Sequence, residues 1–337
     1  MKIRKGMAGV ALALVALLAL GAASIGSAQP QAAKKMKVAV ITDIGGLNDK
    51  GFNALANVGL QTAKKKLKVD GRVFISKSPQ DYIPNLRNAA QVYKADLVIS
   101  VGFLMSDATA AVAKAFPKTK FAIVDVSAPS MKGKPKNARG IVFAENEAGY
   151  LAGVAAATVT KSGTLSTVGG LKIPPVDAFI AGFQAGAKAT KPDVQLLNEY
   201  SSDFVDQAKC KEIALNQIAQ GSDVVFQVAG GCGLGALSAA KEKSVWGIGV
   251  DNDQAFLGTH VLTSAQKKVN EGVYQTIQLA KTGKFKGGVD GVFNVKNNGV
   301  GFGKLSANAP ASLQAKLTSV AAAIKAGKIK NIPRTVA

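Results

Sequence analysis

KVAVITDIGGLNDKGFNALANVGLQTAKKKL, residues 37–67, is a strand, a turn and a helix written one after another. The β-formers Val38, Val40 and Ile41 run up to Asp43 and stop. Gly45, Gly46, Asn48 and Asp49 follow, the residue types that turns require. From Phe52 onward a helical pattern opens and ends in the lysines 64–66. The apolar run is continuous rather than alternating, which suits a strand buried on both faces of a parallel sheet. Strand, short turn and helix form the first half of a βαβ unit. Phe52 stands at the mouth of that helix beside an acid, a place where a core has no use for an aromatic ring.

The same pattern repeats along the chain. RVFISKS (72–78), ADLVISVG (95–102) and KFAIVDV (120–126) read as strands, with DYIPNLRNAAQVYK (81–94) and SDATAAVAKAF (106–116) as helices between them. A junction is expected near NARGIVFAEN (137–146), where a strand runs into the helix EAGYLAGVAAATV. The pattern then restarts with strands GTLSTVGG, VQLLNEY, DVVFQVAG and VWGIGVD. The helices DAFIAGFQAGAKAT, DQAKCKEIALNQIA and LGALSAAKEK lie between those strands. The chain therefore reads as two successive α/β units of like plan. Open parallel sheets bind ligands outside the carboxyl ends of their strands. That rule singles out Asp43, Gly102, Asp125, Gly170, Tyr200, Gly230 and Asp251, each at a strand end.

Residues 1–28 are read as a secretory leader: MKIRKG is basic, VALALVALLAL is apolar, and Gly26 and Ala28 are placed for cleavage. The expected mature protein is periplasmic or extracellular. No cysteine precedes Cys210, so an anchor through an N-terminal cysteine is not expected. The two cysteines, Cys210 and Cys232, flank a helix and the strand after it. Helix and strand run antiparallel in such a unit, which brings both sulfurs to one edge and makes a disulfide sensible in an oxidising compartment. Net charge is +21, and removal of Lys2, Arg4 and Lys5 with the leader leaves +18. The lysines are dispersed, the densest run being AKKKLK at 63–68, and few aromatics accompany them. A nucleic-acid partner is therefore not expected. One histidine, His260, and two cysteines cannot build a metal cluster, so neither metal nor cofactor is expected.

Three strands end on a carboxylate: Asp43, Asp125 and Asp251. Such an acid can cap the next helix. It can also accept charge-assisted hydrogen bonds from sugar hydroxyls or ring N–H groups, or join a second acid in glycoside cleavage. Phe52 and Phe204 each lie past a strand end, one in each half, and suit the two jaws of a clamp on a flat ring. Gly231, Gly233 and Ala236, with Asp251 further on, imitate a dinucleotide fingerprint. That pattern is short in a chain of 36 glycines; the glycines are read as letting backbone N–H groups approach a ligand. Lys267 and Lys268 are read at a helix start, unfavourable against the macrodipole. A partner such as Asp251, or a ligand hydroxyl, would hold one of them.

Several of these motifs occur together and in order: TDIGGLNDKGFN, VGFLMSDATAAVAKAFPKTKFAIVD, FAENEAGYLAGVAAA, AFIAGFQAGAK, GSDVVFQVAGGCGLGA, GVDNDQ and VLTSAQKKV. The chain resembles, from about residue 36 to about 300, the basic membrane protein family of ABC-transporter substrate-binding proteins, the purine-nucleoside receptor type. The resemblance implies a type I periplasmic-binding-protein fold, two Rossmann-like lobes joined by three crossing strands. It implies a first lobe of residues 36–142 plus about 258–287 and a second of 143–257 plus about 288–337. It implies a purine stacked between Phe52 and Phe204, its edge read by Asp125 with Asp43 and Asn53 beside it. Asp251, Lys267 and the backbone at Gly230 would hold the ribose. The implied protein is a monomer and not an enzyme; it captures its ligand by hinge closure and serves an ABC transporter permease. The missing anchor cysteine and the Cys210/Cys232 pair depart from the family pattern. The alternatives are a sugar or other small polar metabolite in the same fold, an exported nucleoside hydrolase, and a cationic envelope adhesin.

Overall fold

A computed structural model describes residues 35–336; the leader reading lies outside the described residues. The first lobe opens with strand β1 (Lys37–Ile41), helix α1 (Phe52–Leu67) and strand β2 (Asp70–Phe74). It continues through α2 (Tyr82–Arg87), β3 (Leu97–Val101), α3 (Ser106–Ala115), β4 (Lys120–Val124) and β5 (Ala138–Phe143). The helix expected over 81–94 is not uniform: a 3₁₀ turn at Pro79–Asp81 leads into α2, and Asn88–Val92 is π-helical. Pro84, in the first turn of α2, has no N–H to contribute but needs none there.

The second lobe follows, with α4 (Glu145–Val159), β6 (Thr164–Gly169), α5 (Pro174–Thr190), β7 (Gln195–Tyr200) and α6 (Gln207–Ala219). Then come β8 (Val224–Val228), α7 (Gly233–Glu242), β9 (Trp246–Asp251) and β10 (Val261–Lys267). The chain returns to the first lobe with α8 (Val269–Lys281), packed on α1, and β11 (Asp290–Phe293). It crosses again into β12 (Val300–Phe302) and α9 (Ser312–Lys325).

The first sheet has the order β11-β5-β4-β3-β1-β2 and is parallel throughout. The second has the order β12-β10-β9-β8-β6-β7 and is parallel except for β12, which runs antiparallel to β10. Three crossings join the lobes, at Phe143–Glu145, Lys267–Val269 and Phe293–Val300. The pairing redraws two expected boundaries. Val261–Lys267 stays in the second sheet, its Ser264 opposite Gly249 of β9, and the return to the first lobe begins only at Lys268. Asp290–Phe293, expected in the second lobe, adds to the first sheet through Gly140–Phe143.

Alternate residues of β1 bury opposite faces, Val38 and Val40 in one apolar cluster, Ala39 and Ile41 in another. That two-sided burial is the physical reason the strands read as continuous apolar runs. Parallel register then aligns the carboxyl ends: Ile41 lies opposite Ser100, and Val101 opposite Val124.

Helices α4 and α5 pack with their backbones almost in contact. A Cβ at Gly149 or Gly153 would strike the carbonyl of Phe179 or Phe183, and one at Gly182 or Gly186 that of Asn146 or Tyr150. The spacing of four places each glycine pair on one helix face. Gly186→Ala should therefore destabilise the protein by about 1–3 kcal/mol, the cost of overpacking, read as a lowered urea midpoint with an unchanged slope. An unchanged midpoint would show that the helices separate freely.

Candidate functional site

The carboxyl ends of both sheets face one cleft. It is lined by Asp43, Phe52, Asn53, Asp125, Phe204, Gly230, Asp251 and Lys267, every ligand-binding residue expected from the sequence, and also by Asp49, Gly102 and Phe179. The lobes touch at its lip: Asn252 Nδ2 donates to Lys50 O at 3.3 Å.

At one end, the turn after β1 folds back on α1. Asn53 Nδ2 donates to Asp43 Oδ1 at 2.7 Å, and Asn53 Oδ1 accepts from Asp43 N at 3.3 Å. The helix is capped not by Asp43 but by Asp49, which accepts from the N–H groups of Gly51, Asn53 and Ala54. Asp43 is thereby left facing the cleft. Burial pushes its carboxyl up to about 6, against the hydrogen bonds from Asn53 and Gly45.

Toward the crossings, Lys267 is buried among acids. Its Nζ lies 2.8 Å from Asp125, 3.6 Å from Asp251 and 3.9 Å from Glu145. Lys267 closes strand β10 rather than opening a helix, so the dipole argument does not apply to it; Lys268 occupies the helix start. The expected partner Asp251 is present, but Asp125 is nearer. The ammonium also lies 4.6 Å from the centroid of Phe52 and 5.4 Å from that of Phe179. Burial raises Asp251 to about 7, with Lys267 opposing. Glu145 is likewise raised to about 7 by burial, opposed by Lys267 and Arg334.

Asp125 and Asp251 hold equivalent places after β4 and at the end of β9, and both have left-handed backbones, φ 68° and 60°. A non-glycine residue there carries strain, and such strain gathers at functional sites. One oxygen on each, Oδ1, is buried without a hydrogen-bond partner. The 3.6 Å from Lys267 to Asp251 Oδ1 is too long to count as one. Buried acceptors left alone cost free energy.

The aromatic side chain of Phe204, across the cleft, is held from behind. Phe204 packs against Gly170 and Gly230, and its carbonyl accepts from Cys232 N at 3.0 Å. Gly230 has φ 55°, which only glycine adopts freely. Cys232 is bonded to Cys210 across 22 residues, with the Cα atoms 5.5 Å apart. The disulfide thus ties the start of α6 to the loop behind Phe204. Gly231 and Gly233 shape this loop; Gly233 packs on Gln227 and Gly231 on the Phe204 carbonyl.

Glu145 was not singled out by sequence reasoning, because an acid in the first turn of a helix is ordinary dipole compensation. Among the described residues, no helix is long and apolar enough to cross a membrane.

A family profile described as "ABC transporter substrate-binding protein PnrA-like" matches residues 35–332. The chain is 39% identical to the ABC transporter nucleoside-binding protein BmpA of Lactococcus lactis over 88% of its own length and 90% of that protein's. It is 34% identical to an uncharacterised lipoprotein of Pyrococcus abyssi, over 87% of this chain and 76% of that one. A solute-binding protein of an Aeropyrum pernix ABC transporter superposes with a TM-score of 0.80 at 24% identity, covering 89% of this chain and 94% of that one. With 298 consecutive positions inside the family profile, the chain belongs to the PnrA-like Bmp family of ABC-transporter substrate-binding proteins.

Proposed function

We propose that the protein captures a purine nucleoside in the interlobe cleft by hinge closure and presents it to a membrane permease. The unpartnered Oδ1 atoms of Asp125 and Asp251, buried in a cleft that also holds two aromatic jaws, carry this reading. A nucleoside brings what both features lack: base N–H and ribose hydroxyl donors for the carboxylates, and a flat ring for Phe52 and Phe204. Asp43, Asn53 and Asp125 take the base edge. Asp251, Lys267 and the backbone at Gly230 take the ribose, and the 2.8 Å pair between Asp125 and Lys267 ties the two ends together. The nucleoside-binding name of the Lactococcus relative supports the same ligand class. The protein is exported and works as a monomer. Both of its cysteines are joined in one disulfide.

Calorimetric titration of refolded protein with adenosine, guanosine, inosine, uridine and ribose tests this. Tight binding of a purine nucleoside and silence with ribose is the expected result, with the nucleoside recovered intact. Binding of ribose alone would move the ligand to the sugars, and a cleaved nucleoside would make the protein a hydrolase. Phe52→Ala and Phe204→Ala should each weaken purine binding by about 1–3 kcal/mol, the scale of base–aromatic stacking. Wild-type affinity in both variants would remove the clamp.

A further inference from the structure

The last residues of the chain return to the first crossing between the lobes and hold it from outside. Asn146 Nδ2 donates to Ile332 O at 2.7 Å, and Arg334 Nη1 donates to Asn146 Oδ1 at 2.9 Å. Arg334 Nη2 donates to Glu145 Oε2 at 2.8 Å and to Phe143 O at 3.3 Å. The arginine fork therefore engages Phe143, Glu145 and Asn146 together, which is the whole passage from β5 into α4. The same passage is fastened to the third crossing, where Ala144 N donates to Phe293 O at 2.8 Å and Val295 N donates to Glu147 Oε2 at 2.7 Å.

Glu145 joins this outer clamp to the cleft. The Arg334 side chain is 54% exposed, whereas that of Glu145 is 3% exposed. Its Oε2 faces Arg334 and its Oε1 faces Lys267 at 3.9 Å. The charged groups around Glu145 are Lys267 from β10, Asp125 from the end of β4 and Arg334 from the tail. Asp251 shares Lys267 from the far side.

We propose that the segment Ile332–Arg334 is a strap that fixes the first crossing and, through Glu145, positions Lys267 in the ligand cleft. The proposal rests on the reading of that cleft as a nucleoside site. With Arg334 in place, Glu145 carries its charge and shares Lys267, whose ammonium bonds Asp125 through Oδ2 alone, so that Oδ1 of Asp125 and of Asp251 stays open to ligand donors. Without Arg334, a counter-charge is lost from a carboxyl that burial already lifts, and Glu145 holds its proton to higher pH. Lys267, already bonded to Asp125 Oδ2, then shifts onto Oδ1 of both aspartates and occupies the acceptors that the ligand needs. Arg334 touches no cleft atom in this scheme; it is a positioning residue.

The test compares wild type, Arg334→Ala, Arg334→Lys and Glu145→Gln. Affinity for the best-bound purine nucleoside is followed from pH 5.5 to 9, alongside hydrogen–deuterium exchange of the ligand-free proteins. Arg334→Ala should bind about tenfold more weakly near pH 8, a size typical of couplings through packed networks. The gap should close toward pH 5.5, where Glu145 is protonated with or without Arg334. Lysine should restore part of the affinity, since it brings one charge but not the fork. Glu145→Gln should be weak at every pH. Exchange in Arg334→Ala should rise at residues 143–147 and also at 265–268, with α6 and α7 unchanged. An Arg334→Ala protein that binds like wild type, or one weakened equally at all pH values, would overturn the strap. If wild type bound no nucleoside, the cleft reading would fall; unchanged exchange at 265–268 would then overturn the strap by itself.

Discussion

Replacing Lys267 by methionine should destabilise the ligand-free protein by about 3–5 kcal/mol at pH 8, the usual cost of removing one partner from a buried ion pair. Methionine preserves most of the volume, so the loss reports charge rather than packing. The ammonium faces Asp125, Asp251 and Glu145, and all four side chains are less than a tenth exposed. No other cation reaches Asp251 among the described residues. The effect must depend on pH, and its sign follows from the buried acids. Burial raises Asp251 and Glu145 to about 7 and Asp43 to about 6. Each acid then holds a proton in the folded state that the unfolded chain has already released, over the window from about pH 4 to 7. Stability from these groups is therefore lost as pH rises through that window. Removing Lys267 takes away an attraction that keeps Asp251 and Glu145 from rising further, so the variant loses more. Urea unfolding at pH 5 and pH 8 should show a deficit that grows with pH. An equal deficit at both values would mean that the acids are solvated and that Lys267 is chiefly a packing residue.

Breaking the Cys210–Cys232 bond should cost about 3 kcal/mol in the chain-entropy account of a closed loop of this length. Both residues are fully buried in a small apolar cluster with Val168, Ala214 and Ala236. The Cys210→Ala/Cys232→Ala double variant therefore keeps apolar groups in place and isolates the cross-link. Its urea midpoint should fall. Ligand affinity should fall too, because the Cys232 N–H holds the carbonyl of Phe204 and the bond steadies that loop. Loss of stability with full affinity would separate the disulfide from the jaw it stands behind. Retention of both would show that the unfolded chain gains little freedom when the bond is absent.

The regular part of the fold was legible because its strands are buried on both faces. KVAVI, LVISV and KFAIV carry almost nothing but apolar residues, so their ends could be located, and the site residues stand at those ends. VLTSAQK was harder. Its Thr263 and Ser264 are buried, but each is satisfied by main chain from elsewhere in the fold: Thr263 donates to Gly303 O, and Ser264 accepts from Gln254 N. A central strand thus looked like the approach to a helix, and Lys267 was assigned the wrong kind of backbone. The short strands at 290–293 and 300–302 gave no periodic signal. Phe52 and Phe204 could be paired by position alone. The link from Arg334 to Glu145 could not, because neither residue breaks a local rule and only the tertiary fold brings them together.

Strand β11 has a consequence for the order in which the molecule is built. Asp290–Phe293 completes a sheet whose neighbouring strand is β5, at Ala138–Phe143. Until residue 290 has been synthesised, β5 presents a bare edge, and α1 waits for α8 to cover it. Neither lobe is a continuous piece of chain, so neither can finish until a segment made late in synthesis arrives. Contacts so distant in sequence make folding slow. The chain therefore stays open through most of its length, and each half closes only when its late-coming strand and helix are available.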